Sequence, residues 1–416
     1  MCCHWFVSWK PVNPLPRRLP DGFSMSSAQP SLSADSHLEQ GPVTLPAWLQ
    51  WQAQRNGEGI ALRHKRLGIW QVRTWSQVAV EVHSLANALQ AKGFAQGATL
   101  VVLSRPRPEA LLLALAAQWL GGEAALFDPL EPAQPQEALL ERLQPRYVFA
   151  ESLSELRRVN TANIRPGLLL YADGRGVASE GTWATALDYQ ALLQQGVGTL
   201  HAPRAVSDHT AFAFYRHAAG GEVEGQRISH AELLREGRRL VQQEQLGRQE
   251  EALAARAFAA GGQARYLLAP WLLAGFRLNF PESLATRDQD RRELGPTLVA
   301  GTRETYTRLH AQVLQRLPAP GSWRRRLVDW ALRPDAGFWQ RSAGYWLIRR
   351  PLRDVLGFSR TRAPLLVGEP LDETVQVFFR ALAIDVRTWP DQALWQRPAV
   401  PASDLKSWIN GDSQLA

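Results

Sequence analysis

Between Phe212 and His230 the chain reads FAFYRHAAGGEVEGQRISH, a glycine-containing turn between an apolar run and a helix start. Such a turn lets backbone N–H groups close around phosphate oxygens, and the chemistry normally adds hydroxyl donors and a cation. This one has neither. No serine or threonine lies between Arg216 and Glu224, and Glu224 sets an anion where a phosphate would approach. Two unit charges about 4 Å apart interact by about 4 kcal/mol at an effective dielectric near 20, so the sign of that one residue matters. His217 beside Arg216 has no Ser, Cys or Asp partner fixed by spacing, and is expected to be a solvent-facing loop residue rather than a general base.

A second chemical feature runs from Gly321 to Arg360, GSWRRRLVDWALRPDAGFWQRSAGYWLIRRPLRDVLGFSR, with nine arginines against three aspartates. That net +6 makes up most of the chain's formal charge of +8. Trp323, Arg324, Arg325, Arg326 and Trp330 head it, and the two tryptophans, seven apart, share one helical face. Arginine interleaved with tryptophan suits an anionic membrane surface, and suits equally a helix that buries its rings in a core. With no nucleic-acid module and no basic tail, no nucleic-acid partner is expected. His4, His37, His64, His83, His201 and His209 are scattered, and the two cysteines are adjacent at Cys2 and Cys3, so no metal site is expected.

The elements that would carry these residues alternate. LPAWLQWQAQ opens a helix, IALRHKRLGIWQVRTW is a hairpin turning at Leu67-Gly68, and SQVAVEVHSLANALQAKG is an amphipathic helix closed by Gly93. ATLVVLS, RPEALLLALAAQWLGG and EAALFD then read as strand, helix and strand, the order of a parallel unit, and PRYVFAES and GLLLYAD repeat the cadence. With 416 residues, 45% apolar and 21% charged, the chain is an ordinary folded α/β protein. No run reaches the roughly 18 apolar residues that span a bilayer. The first residues carry Pro11, Pro14, Pro16 and Pro20 and are not an export signal; residues 1–45 are expected to be a disordered leader, with Met25 a candidate start.

In this order the segments resemble AMP-forming acyl-CoA synthetases of the adenylate-forming superfamily, the long-chain fatty-acid CoA ligases in particular. The likeness runs from IALRHKRLGIW through ISHAELL, LLAGFRLNFPES, RRELGPTLVAGTRETYTRL and WRRRLVDWALRP to APLLVGEPLDETVQVFFRAL, roughly residues 46–395. It implies the large N-terminal region of such an enzyme, layered sheets and helices, subdivided near residue 205. Residues 396–416 form a short tail. The small C-terminal domain and its lysine are expected to be missing.

Against the family's YTSGTTGxPKGVxLSH the remnant loop keeps Tyr215, Gly221, Gly225, Ser229 and His230, whereas Gly220 replaces a threonine and Glu224 the lysine. Arg216, His217, Ala218 and Ala219 stand at a threonine, a serine, a glycine and a threonine. In the family's YGxTE segment Trp389 stands for tyrosine and Ala393 for the magnesium-binding glutamate, with Asp391 a displaced acid. Of the family's ATP, magnesium and CoA, none is expected to be retained, although Arg216 and Arg227 are candidates to offset part of the lost charge. The reading is therefore a catalytically inactive relative, cytoplasmic or peripheral at the inner membrane face. It would bind a long-chain acyl ligand in a pocket formed by the segment after the loop and by LLAGFRLNFPES, or serve as a scaffold for a protein partner. A residual ATP-dependent long-chain acyl-CoA synthetase is the alternative.

Overall fold

The computed structural model describes residues 40–128, 132–181, 185–199, 201–217, 222–258, 260–333, 342–391 and 395–396. The strands are β1 (Ile60–Arg66), β2 (Ile69–Thr74), β3 (Thr99–Leu103), β4 (Glu123–Phe127), β5 (Tyr147–Ala150), β6 (Leu168–Tyr171) and β7 (Leu187–Asp188). They continue as β8 (Thr210–His217), β9 (Val223–Ser229), β10 (Glu251–Leu253), β11 (Arg277–Phe280), β12 (Leu298–Gly301), β13 (Ala363–Val367) and β14 (Arg387–Trp389). The helices that bear on the site are α1 (Leu45–Asn56), α2 (Trp75–Ala91), α3 (Pro108–Trp119), α4 (His230–Gln243), α5 (Arg287–Leu294), α6 (Arg303–Arg316), α7 (Trp323–Leu332) and α8 (Arg350–Leu356).

Two sheets result, ordered β7-β6-β5-β3-β4-β8-β9 and β14-β13-β12-β10-β11-β1-β2. Each is a parallel set closed at one edge by an antiparallel hairpin, β8–β9 in one and β1–β2 in the other. The expected strand-helix-strand unit is present: β3 and β4 pair in parallel register from Thr99↔Glu123 to Leu103↔Phe127, joined by α3. The β1–β2 turn also falls where the sequence places it. Leu67 and Gly68 adopt φ of 49° and 76°, the two left-handed positions of a tight hairpin, and the Glu282 carboxylate accepts both of their N–H groups at 2.8 and 3.1 Å.

The helices between the sheets form the core. α2 packs on β1 and β2, α3 on β3 and β4, and the two helices pack on each other. Every residue of α3 is buried, which its unbroken run of Ala and Leu requires. The α2 start is fixed by a capping box of Thr74 and Gln77. Trp75 at its head stacks on the buried Trp271, ring centroids 4.9 Å apart, and Trp271 donates its indole N–H to Ala61 O at 3.1 Å. The parallel strands of each sheet end on one edge, and the loops leaving those carboxyl ends carry the residues considered next.

Candidate functional site

The β8–β9 hairpin holds the flanks of the glycine turn. Residues 218–221, which include Gly220 and Gly221, lie outside the described residues, as do Ala393, Met25 and the side chain of His217. Across the hairpin Arg216 faces Glu224 and Tyr215 faces Gly225. The Arg216 guanidinium donates from Nε and Nη2 to Glu224 Oε2 at 3.0 and 2.9 Å, and lies 4.2 Å from the ring centroid of Trp395. Gly225 exchanges two backbone hydrogen bonds with Gln396, each 2.9 Å, so the segment at 395–396 adds to the β9 edge. Arg227 in turn donates to Glu123 at 3.0 Å. Both arginines that the sequence offers as replacement cations are thus already paired with carboxylates, Arg216 by the very residue it would have to offset.

The retained flanking residues have structural partners. Tyr215 is buried against Phe127, and burial raises its hydroxyl pKa. Ser229 caps α4, its Oγ accepting the Glu232 N–H at 3.2 Å. His230 is fully buried, and its Nδ1 accepts the Leu45 N–H at 3.3 Å. Burial, then the nearby His209, lowers its pKa to about 3, so it is a neutral core imidazole.

Asp391 sits beyond β14 and is held rather than free. Its Oδ1 accepts from Arg265 Nη1 at 2.7 Å and its Oδ2 from the Gly262 N–H at 3.1 Å. Arg265 is itself buried and reaches Glu232 through Nη2 at 2.6 Å and Nε at 2.9 Å. One guanidinium therefore clamps two carboxylates from elements far apart in sequence. Burial outweighs Arg265 and leaves the Asp391 carboxyl above its ordinary range. The approach depends on glycine, since a Cβ on Gly262 would lie 2.5 Å from Val367 Cγ1 and 3.0 Å from Asp391 Cγ. Trp389, at the family's tyrosine position, is buried and donates to Glu244 at 3.3 Å.

The head of the arginine-tryptophan segment, Trp323–Leu332, is helical, as its spacing predicts, but its two rings differ in surroundings. Trp323 at the start of α7 is 70% exposed, whereas Trp330 is half-buried. Arg324 lies 5.4 Å over the Trp323 ring, and Arg325 is tied to Asp329 at 2.9 Å. Arg326 is exposed. Beside α7, Trp346 and Leu347 are 60% and 61% exposed, with Arg350 4.6 Å over the Trp346 ring.

Two cavities open at the carboxyl ends of the strands. One, of about 390 Å³, is walled by His64, Arg105, Arg107, Glu151, Asp173 and Arg175 among others. Three of its arginines are matched, Arg105 with Glu151 at 2.5 Å, Arg107 with Glu109 at 2.8 Å and Arg175 with Asp173 at 2.5 Å, while Arg66 is exposed at its rim. Burial raises the Glu109 pKa, but Arg107, His64 and Arg73 together outweigh it and hold the carboxyl near 2. The His64 imidazole is lowered to about 4, chiefly by burial. The other cavity, of about 530 Å³, lies over β10 and β12 between α5 and α6. Leu253, Leu284 and Val299 supply apolar wall, and Arg256, Arg287, Arg291 and Arg308 supply charge.

Sequence reasoning reaches the first of these regions through its strands and through LLAGFRLNFPES, whose Pro281, Glu282 and Ser283 line it, and misses Arg265 and the arginines of the larger cavity. It expects an apolar pocket from segments including the one after the loop and the one near LLAGFRLNFPES; Leu284, directly after that second stretch, lines the larger cavity, and ISHAELL lines neither. The only trace in the sequence is the charge run TRDQDRRE, which reads equally as a solvated helix. Among the described residues no cluster of three His, Cys, Asp or Glu could hold a metal ion, and no helix is long and apolar enough to cross a membrane.

The family model for AMP-binding enzymes matches residues 49–389. Among solved structures, the adenylation domain of a carboxylate reductase from Mycobacterium chelonae is similar with a TM-score of 0.66 and 16% identity, covering 86% of this chain and 58% of that one. A long-chain-fatty-acid-CoA ligase from Archaeoglobus fulgidus is similar with a TM-score of 0.61 and 9% identity, covering 84% and 63%. Among curated proteins, tyrocidine synthase 3 of Brevibacillus parabrevis is 27% identical over 165 residues, 39% of this chain and 2% of that protein. The chain therefore spans little more than half the length of the first structure it matches, and at such identities the likeness is one of fold.

Proposed function

We propose that this chain, which belongs to the AMP-binding enzyme family, binds an acyl ligand and does not form adenylates from Mg-ATP in the family's manner. The observation that carries the reading is the Arg216–Glu224 pair. An incoming triphosphate would meet a carboxylate at the mouth of the turn, and the nearest cation is neutralised by that carboxylate. The described residues near β14 do not fit a magnesium ion either, because both Asp391 oxygens accept from protein donors and Glu232 is held by the same arginine. An acyl ligand makes no such demand. It needs a concave, partly apolar cavity of a few hundred Å³, and the one over β10 and β12 is of that kind.

Calorimetric titration of the full chain with Mg-ATP, then with a long-chain acyl-adenylate analogue, tests this. The expected result is heat from the analogue and none from Mg-ATP. Tight binding of Mg-ATP would overturn the reading in favour of a working acyl-CoA synthetase, and silence from both ligands would favour a scaffold for a protein partner.

A second reading concerns location. Trp323, Trp346 and Leu347 are exposed together with Arg324 and Arg350, the pairing of interfacial rings with cations that suits peripheral contact with an anionic membrane.

A further inference from the structure

Four strands end the two sheets, and three of them offer little to pair with. β7 is two residues long and β14 three, and the outer edge of β9 is met by Gln396. β2 is six residues long and ends its sheet with no strand beyond it among the described residues. The two-residue turn at Leu67-Gly68 makes Arg66 and Ile69 the hydrogen-bonded pair beside it, and alternation along the ladder then turns the backbone N–H and C=O groups of Trp70 and Val72 outward. Proteins guard such an edge with lysine, proline or charge. β2 has no lysine or proline, and its one charge, Arg73, is drawn onto Glu81 at 3.1 Å and Glu109 at 3.7 Å. Its flank is apolar instead. An open hollow of about 580 Å³ between α2 and the helix Tyr189–Gln195 adjoins Arg73 and carries Val80 and Val197, and both of these, like Ile69, are more than half exposed.

We propose that β2 is the interface of a homodimer, in which it pairs antiparallel with β2 of a second copy about a two-fold axis at Gln71. Such an axis stands perpendicular to the sheet and keeps its faces continuous, so residues opposite each other share a face. Arg73 lies on the α2 face, through Glu81, and Trp70 on the other, where its indole donates to Glu293 of α5 at 2.8 Å. With the axis at Gln71, Trp70 of each copy stands opposite Val72 of the other, ring on branched side chain, and the strand hydrogen bonds there join outward-turned groups. Ile69 stands opposite Arg73 and Gln71 opposite itself, so no like charges meet. An axis at Val72 would need the Thr74 N–H, which Gln77 Oε1 already holds at 2.9 Å, and one at Arg73 would oppose two arginines. A stable interface buries about 1,200–2,000 Å² in total, more than two short strands supply. Because α2 of both copies lies on one face of the joined sheet, the same axis turns Val80 and the hollow of one copy toward those of the other.

The test is sedimentation equilibrium of the full chain at micromolar concentrations, where a reversible dimer is expected. Q71K sets two lysines opposite each other on the axis and Q71E two glutamates. Each is expected to weaken dimerisation about tenfold or more at low salt, and an equimolar mixture of the two to restore it, since the mixed dimer pairs opposite charges. V72P removes an outward N–H from each copy without touching the ladder to β1, and is expected to weaken the dimer at high salt as much as at low. A wild-type chain that stays monomeric overturns the proposal and leaves the edge to an extended segment of another protein. A dimer that survives Q71K and V72P alike overturns it, as does loss in both charge variants with no recovery in their mixture. Circular dichroism checks the fold of each variant; should V72P fail to fold, Q71K, Q71E and their mixture decide, since Gln71 is exposed.

Discussion

Arg216 and Glu224 stand directly opposite each other on β8 and β9, joined by hydrogen bonds of 3.0 and 2.9 Å, with Trp395 stacked 4.2 Å from the guanidinium. A cross-strand pair of opposite charges is a common way to stabilise a hairpin. Here the same pair flanks the glycine turn, and the Arg216 cation is engaged by Glu224. The proposed lack of triphosphate binding and the local stability of the hairpin rest on one contact.

Glu224→Lys should separate the two effects. Arg216 is about half exposed, so losing the pair is expected to cost no more than about 1 kcal/mol in urea unfolding. Two adjacent cations would then face the turn, and tripolyphosphate is expected to bind roughly tenfold more tightly at low salt, a gain that fades as salt is added. Unchanged tripolyphosphate affinity would show that the pair does not govern the site.

Arg265 holds Glu232 and Asp391 from within the protein, with 4% of its surface exposed. Arg265→Met removes the shared cation and is expected to cost about 3–5 kcal/mol near pH 8. The cost should shrink on acidification. The Asp391 pKa is already raised by burial, and without Arg265 it rises further, so the penalty grows as pH climbs through that pKa and is relieved by protonation below it. A cost below about 1 kcal/mol at pH 8 would mean that the clamp is incidental.

Acid should unfold the protein in two stages. His64 and His230 have native pKa values of about 4 and about 3, below the ordinary 6.5, so between these values the unfolded chain binds more protons than the native one. Their stability is complete above pH 6.5 and is lost as pH falls through 4 and 3, by several kcal/mol in sum. Glu109 and Asp288, both held near 2, lose their share only below the ordinary carboxylate range. His230→Asn keeps an acceptor for the Leu45 N–H and should flatten the upper stage in urea titrations between pH 7 and 4. An unchanged slope would exclude His230 as the source.

Vesicle sedimentation checks the membrane reading. The full chain is expected to sediment with phosphatidylserine vesicles at low salt and to be released by high salt. Replacing Trp323 and Trp346 together by Ala should weaken binding about tenfold or more, since each exposed ring loses its interfacial contact. Equal sedimentation of the double variant would assign these rings to something other than lipid.

The sequence by itself determined the α/β class, the β3–α3–β4 unit, the hairpin turn at Leu67-Gly68 and the loss of hydroxyls and lysine between Tyr215 and His230. Each of these is written within about fifteen neighbouring residues, as a hydrophobic period, a turn pair or a missing side chain. Only the tertiary structure decided where the remaining charges go. Arg265 and Asp391 are separated by 126 positions and Arg227 and Glu123 by 104; the first pair meets where the helical turn Ala264–Leu268 lies against the end of β14, the second because β4, β8 and β9 are successive strands of one sheet. The cavity over β10 draws Arg256 from the loop beyond that strand, Arg287 and Arg291 from α5 and Arg308 from α6, and their grouping appears only when these elements are brought together. A charge run in the sequence gives the supply of cations, but pairing depends on distances of a few ångströms, and those are set by how the sheets stack.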